Sequence, residues 1–563
     1  MTVTRLLTIA AVGSLAACGG YHGGAAGGGA PAPAASGISA ADLRRWLFAF
    51  ADDSMLGRGS GTEGNVKGTR YIAAEVARLG LEPAGENGTY FVNVPLRVRH
   101  LDSASTLAVG GAPLTLMADY VAVASFPGFP RIGMTLDASH GLAVISGGRI
   151  ADTSVTLSPS QIAGKIVVVD LPLTADGRPD PRFWTHGGLD RYQGAAAIAV
   201  VAMNTLPPQA MRFFAGERLR LADPSAEQGM PTGGPAGLLI TRATADKMLA
   251  AGATVTGKIQ FTDRPSAFAA RDVVAILPGS EPALAGEYVA LGGHNDHLGV
   301  DHGAAVDLDS LHAFNTAAWQ LRGLSPDGPR PTPEQLATIH VNVDSLRRLH
   351  PVRRDSVYKG ADDDGSGSVS VLALAQAFAR SHARPKRSIL FVWHTGEELG
   401  LFGSEYFTDH PTVPRDSIVA QLNMDMVGRG DAGDIKGGGP TYVELVGSRR
   451  LSTELGDIVE AVNKTEPIPL TFDYTFDANG HPENIYCRSD HYEYARYGIP
   501  IVFFTTGLHQ DYHQLSDEPQ YIDYEHMARV DHLVYDIAVR VADLDHRVVV
   551  DKPKPDPHGR CQQ

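Results

Sequence analysis

Glu397 and Glu398 stand together at the end of the apolar run Ser388-Ile389-Leu390-Phe391-Val392, inside the stretch Trp393-His394-Thr395-Gly396-Glu397-Glu398-Leu399-Gly400. Adjacent carboxylates at the end of a buried strand repel each other, and burial raises both pKa values unless cations offset them. An exposed acidic loop would escape that cost, and the pair alone reads as one. The rest of the chain argues otherwise. His294 sits in Gly292-Gly293-His294-Asn295-Asp296-His297 after the run Tyr288-Val289-Ala290-Leu291. Asp363 lies in Gly360-Ala361-Asp362-Asp363-Asp364-Gly365-Ser366-Gly367, just before a helical pattern from Val369 to Ala379. Asp425 follows Ile418-Val419-Ala420-Gln421-Leu422, and His513 follows Ile501-Val502-Phe503-Phe504 in Asp511-Tyr512-His513.

Taken singly, His294 would be a core histidine, Asp363 a helix cap and Asp425 a turn residue. Together, two His, two Asp and Glu398 form a mixed nitrogen and oxygen ligand set without cysteine, suited to zinc, cobalt or manganese rather than calcium. Five ligands exceed what one catalytic zinc uses while keeping an open position, so two metals sharing a carboxylate, with a water between them, fit the count better.

The elements that must position these groups follow from the pattern. Apolar runs at Arg271–Leu277, Tyr288–Leu291, Ile389–Val392, Ile418–Leu422 and Ile501–Phe504 alternate with helical or loop segments. That alternation predicts an α/β fold with a mostly parallel central sheet flanked by helices, whose ligands bind at the carboxyl ends of the strands. Upstream, Ser39 caps a helix carrying Leu43, Trp46, Leu47 and Phe50, and a second helix runs from about Val66 to Leu79. From about Leu101 the texture turns to short strands, with a strong strand at Gly164–Asp170, a small-residue helix turning into a strand over Gly194–Val201, and a helix at Ala243–Leu249.

The segments around His294 and Asp296, Gly360 to Gly367, Gly396 to Ser404, Asn423 to Gly428 and Asp511 to His513 resemble those of metallopeptidase family 28. The family contains secreted bacterial di-zinc aminopeptidases and relatives of glutamate carboxypeptidase and the transferrin receptor. The resemblance covers about Arg271 to Leu544 and the early segment to Leu96. It implies two zinc ions, His294 and Asp425 on one, Glu398 and His513 on the other, with Asp363 bridging. It further implies Glu397 as general base, Asp296 orienting His294, Tyr512 donating to the oxyanion, and a cis peptide between Asp363 and Asp364. The segment from Leu101 resembles the protease-associated domain, a non-catalytic insert; a separate small-ligand domain is the alternative. His297 is expected to support a ligand rather than be one, Ser489 to cap a helix from Asp490 to Tyr497, and Arg429 to be a solvated loop residue.

The expected organisation is a lipoprotein signal peptide at 1–17, a Gly/Ala/Pro tether at 18–38, an N-terminal part of the catalytic domain at 39–100, the protease-associated insert at 101–265, the catalytic domain at 266–548 and a tail at 549–563. Arg5 and the apolar run Leu6 to Leu15 end in Leu15-Ala16-Ala17-Cys18, which resembles a lipobox, so Cys18 is expected to be acylated and the chain lipid-anchored to a bacterial envelope. Cys487 and Cys561 remain, and their pairing is open. A formal net charge of −15 without a long basic stripe excludes nucleic acid as a partner. The long span from His294 to Asp363 marks an insert at about 300–356, helical from Thr332 to His350, expected to restrict access to the pocket. The function these readings imply is a di-zinc aminopeptidase acting on peptides. A carboxypeptidase or dipeptidase is the enzymatic alternative, and an inactive receptor-like protein the alternative from another class. The oligomeric state and preferred N-terminal residue are not legible.

Overall fold

The computed structural model describes residues 37–563, apart from 124–134, 151, 153, 175–188, 207–210, 212–213, 224–233, 349 and 560. The expected signal peptide and Cys18 lie outside the described residues. Among the described residues, no helix is long and apolar enough to cross a membrane.

Eight strands carry the first large sheet: β1 (Phe91–Val94), β2 (Ala270–Leu277), β3 (Tyr288–His294), β4 (Ser388–His394), β5 (Ile418–Met424), β6 (Tyr442–Val446), β7 (Thr471–Asp473) and β8 (Ile501–Thr505). A two-residue strand at Glu82–Pro83 makes the ninth, and the order is β2-β4-β3-β5-β8-β6-β7 with β1 and Glu82–Pro83 on β2. The four central strands β4, β3, β5 and β8 are parallel, while β2 and β6 join antiparallel at either side. β4 is buried along its whole length, as expected of a strand covered on both faces. Its alternation sends Ile389, Phe391 and Trp393 to one face and Leu390 and Val392 to the other.

The main helices around this sheet and in the insert come from distant parts of the chain. They are α1 (Ala40–Phe50), α2 (Glu63–Arg78), the insert helix α3 (Leu308–Leu321), α4 (Gly367–Arg380), α5 (Phe402–Asp409), α6 (Thr453–Asn463) and α7 (Tyr524–Ala542). The Ser39 hydroxyl caps α1 by accepting from the Asp42 N–H, and Leu43, Trp46, Leu47 and Phe50 recur at helical spacing on its buried face. They join α2, α4 and α7 on the face that holds Phe391 and Trp393. Burying each such side chain contributes about 1.5–3 kcal/mol. On the opposite face, Phe407 of α5 meets Leu390, Val392 and Phe503.

A second nine-stranded sheet lies between Thr106 and Ile259, with Leu142–Arg149, Ile166–Asp170, Ala197–Val201 and Ala236–Ile240 parallel at its centre. The small-residue run before Ala197, expected as helix, is a turn: without bulky side chains it has no face to pack. The chain enters this region through Leu96–Leu101 and leaves through Phe261–Pro265, which pair antiparallel. Arg99 and Arg220 both hold Asp263 on that neck.

The insert between β3 and α4 is pinched at its base. Val300 bridges Val357, and Val306–Asp307 pairs with Arg354–Asp355. Its main helix is α3, not the expected span from Thr332 to His350. That span holds only the short helices Pro333–Ala337 and Asp344–Arg347, interrupted by the β-branched Ile339, Val341 and Val343. Cys487 and Cys561 form a disulfide.

Candidate metal centre

Every strand-end residue singled out above converges on one rim. His294 is the last residue of β3, Glu397 and Glu398 sit on a single helical turn after β4, and Asp425 follows β5. Asp363 precedes α4, and Tyr512 and His513 lie on the loop after β8. The strand ends and α4 approach closely because Gly367 has no side chain; a Cβ there would stand 2.1 Å from the Met424 carbonyl oxygen. The Asp363–Asp364 peptide is cis.

Two groups of donors form around Asp363, one of His294, Asp363 and Asp425, the other of His297, Asp363 and Glu398. His294 Nδ1 lies 3.1 Å from the Asp296 carbonyl oxygen, a donor's position that leaves Nε2 with its lone pair. Nε2 points at Asp363 Oδ1 (3.3 Å), Asp425 Oδ1 (3.6 Å) and Glu397 Oε2 (3.8 Å). On the other side, His513 Nε2 lies 3.0 Å from Asp363 Oδ2 and 2.9 Å from Glu398 Oε2. His297 Nδ1 is 2.6 Å from Glu398 Oε1. One Asp363 oxygen therefore faces each group.

His294 Nε2 and Asp425 Oδ1 are both buried without a hydrogen-bond partner, a costly state for polar atoms unless a cation lies between them. The charges ask for the same thing. Burial disfavours the charged form of His294, yet Asp425 and Glu397 push its pKa well above the ordinary value. Burial likewise opposes charging of His513, but Glu398 and Asp363 push it up to about 11. Burial and Asp363 act to raise Glu398, and His513 and His297 overcome them to hold it at about 2. The residues present fit two metal ions.

Glu397 belongs to neither group. Its N–H donates to Asp296 Oδ1 (3.2 Å), an oxygen of the carboxylate that also accepts from the Ser60 hydroxyl. Burial, together with Asp425 and Glu398, raises the Glu397 pKa well above the carboxylate range. Its side chain lines a cavity along with Asp363, Asp425 and Tyr512. Much of the remaining lining is apolar: Met426, Phe476, Ile485, Phe503 and Leu508. Tyr512 is kept protonated by burial, so it remains a donor.

Arg429, Ser489 and His297 differ from expectation. Arg429 is no solvated residue: it is buried, with its guanidinium on Asp434 and Asp511. Ser489 caps no helix; its hydroxyl donates to Asp425 Oδ2 at 2.7 Å. Arg488, unremarked in the sequence, lines the cavity and donates to the Tyr512 oxygen at 3.1 Å. His297, expected to support a ligand, is itself a donor of the second group, while His513 lies outside that group on the same Glu398 carboxylate. Arg429 and Ser489 meet partners that are remote in sequence or on another element, so no local spacing announces them.

The fold and rim define an α/β protein with a paired metal-binding centre at the carboxyl ends of parallel strands. Residues 335–538 match the sequence profile of peptidase family M28. It is similar to leucine aminopeptidase 1 of Paracoccidioides brasiliensis, 28% identical over 242 residues that cover 41% of this chain and 57% of that protein. A shorter stretch of 82 residues is 42% identical to leupeptin-inactivating enzyme 1 of Streptomyces exfoliatus, covering 14% of this chain and 19% of that one. The chain thus spans little more than half the length of the fungal relative. Among solved structures, an aminopeptidase from Aneurinibacillus sp. strain AM-1 aligns over 92% of this chain and 97% of its own, with a TM-score of 0.47 and 17% identity. A zinc aminopeptidase from Bacillus subtilis aligns over 89% and 94%, with a TM-score of 0.46 and 15% identity.

Proposed function

We propose that the protein is a di-zinc exopeptidase that removes N-terminal residues from peptides. The observation that carries the reading is Asp363, one oxygen toward each donor group, with Glu397 beside both groups but in neither. His294 and Asp425 would hold one zinc, Glu398 and His513 the other, and Asp363 both. Bound zinc supplies Lewis acidity, polarising a peptide carbonyl and lowering the pKa of water.

Glu397 takes the proton of the attacking water as its oxygen bonds to the carbonyl carbon. The Tyr512 hydroxyl donates to the carbonyl oxygen as negative charge develops there, and Arg488 fixes that hydroxyl from the far side. Glu397 then returns the proton to the departing amine as the C–N bond breaks. The apolar wall suits an apolar side chain on the residue being removed. A carboxypeptidase needs a free cation to clamp a terminal carboxylate. Among the residues lining the cavity the one cation is Arg488, and it already holds Glu483 and Tyr512. This favours the aminopeptidase. The second sheet resembles a protease-associated domain and takes no chemical part in the reading. Acylation of Cys18 would keep the enzyme at the cell envelope.

The two glutamates test the reading. Glu397→Gln keeps shape but accepts no proton, so turnover of free-N-terminal dipeptides falls on the order of 10²–10⁴-fold while both zincs stay bound. Glu398→Gln lowers zinc content as well as turnover. Metal loss from Glu397→Gln alone would reverse the roles, and unchanged turnover in both variants would place the chemistry elsewhere. Hydrolysis of N-blocked but not free peptides would refute the aminopeptidase.

A further inference from the structure

The insert between β3 and α4 contributes no residue to the lining of the cavity, which argues against the expected role as a steric lid. Its helix α3 instead leans on the loop that carries Tyr512 and His513. His312, Asn315 and Trp319 are spaced three and four apart, so they share one face of the helix. His312 Nδ1 reaches both carboxylate oxygens of Asp511, at 2.9 and 3.1 Å, and its ring stacks on Tyr521 with centroids 3.8 Å apart. The Asn315 amide donates to the Ser516 hydroxyl, which itself donates to Asp511 Oδ1 at 2.7 Å. The Trp319 indole N–H donates to the Asp434 carbonyl oxygen, and the Asp434 carboxylate grips Arg429, whose other nitrogen meets Asp511. All three residues of the helix face thus converge on Asp511, which is fully buried.

Asp511 immediately precedes the two residues whose placement matters. His513 has φ +58°, a left-handed conformation that a side-chain-bearing residue adopts at a cost unless its surroundings hold it. The insert is itself braced. Arg353 joins Asp309, on the first turn of α3, to Glu518 on the far side of the same loop, and Arg347 adds a second grip on Asp309.

We propose that the insert is a strut for the catalytic loop, with His312 a positioning residue that holds Asp511 and through it sets the Tyr512 hydroxyl and the His513 imidazole. The inference rests on the roles given to Tyr512 and His513 above. Because it acts through another side chain, His312 touches neither substrate nor metal.

The test is a double-mutant cycle on the zinc-loaded full chain. His312→Leu keeps bulk on Tyr521 but donates nothing; His312→Asn places an amide N–H near the position of Nδ1. A loop displaced by a fraction of an ångström costs about tenfold in kcat, with KM within about twofold and zinc content unchanged, in His312→Leu. His312→Asn restores kcat to within about threefold of the parent. In a Tyr512→Phe background, which has lost the hydroxyl the strut aims, His312→Leu costs less than about threefold further. Wild-type kcat in His312→Leu, an equal loss in both backgrounds, or an Asn variant as impaired as the Leu variant would each overturn the strut. Full activity of Tyr512→Phe would instead remove the site reading beneath it, and the strut with it. If His312→Leu does not fold, Trp319→Phe, which deletes only the indole donor, enters the same cycle with the same expected coupling to Tyr512.

Discussion

Asp531 on α7 is fully buried, and neither carboxylate oxygen has a hydrogen-bond partner. Burial pushes its pKa up to about 8 from 3.8, with only Ser370 of α4 favouring the charge. The unfolded chain loses this proton near pH 3.8, whereas the folded chain keeps it until about pH 8. The stabilisation is therefore complete below the unfolded value and drains away as pH rises towards the folded one. Within that window each pH unit costs about 1.4 kcal/mol. Asp531→Asn has the same shape and does not titrate. Between pH 5 and 7, the stability of the parent relative to the Asn variant should fall by about 2.5 kcal/mol. The figure barely depends on the exact folded value, provided it stays above the range measured. Urea unfolding of both metal-free proteins at several pH values, followed by tryptophan fluorescence, reads the difference, since every other titrating group is common to both. A stability difference that stays constant from pH 5 to 7 would show Asp531 ionising as if in water, and the reasoning would fail.

Two further outcomes are expected. The disulfide holds the tail whose Gln563 side chain bonds Tyr486, Phe476 and Ala478, behind the apolar cavity wall; Cys487→Ser should raise KM for apolar N-terminal residues several-fold with little change in kcat, and an unchanged KM would detach the tail from specificity. Cys18→Ala should move the protein from the membrane to the soluble fraction of the producing cell, and persistence of lipid labelling in that variant would remove the anchor.

The central strands were legible because their apolar runs are local: the span read from Tyr288 to Leu291 lies within β3, and the ligands follow each strand end. The meeting of His294, Asp363, Glu398 and Asp425 at the rim was legible for the same reason, since strand order turns neighbours in the sheet into neighbours at the rim, whereas His297 as a donor was not. What the sequence hid is long-range. The Ser489 hydroxyl finds Asp425 across 64 residues, and Arg429 finds Asp511 across 82. α3 was missed because Leu308, Leu311 and Leu321 form no continuous stripe, Leu321 being exposed, and Asp309, His312 and Asn315 on its docked side are polar. A helix that docks through polar side chains gives a weak apolar period.

The neck of the second sheet has a consequence for how such a chain can change. Leu101 and Phe261 are paired across antiparallel strands, and the Asp102 N–H donates to the Gln260 carbonyl oxygen just beyond them. Everything outside that rung is bracketed by two residues already side by side. A tight two-residue turn closes such a ladder. The excursion therefore starts and ends on one rung, but its strand Arg218–Leu221 returns to pair with Leu96–Arg99 and its Asp223 meets His410, so recombination at that rung would carry away a strand of the neck as well.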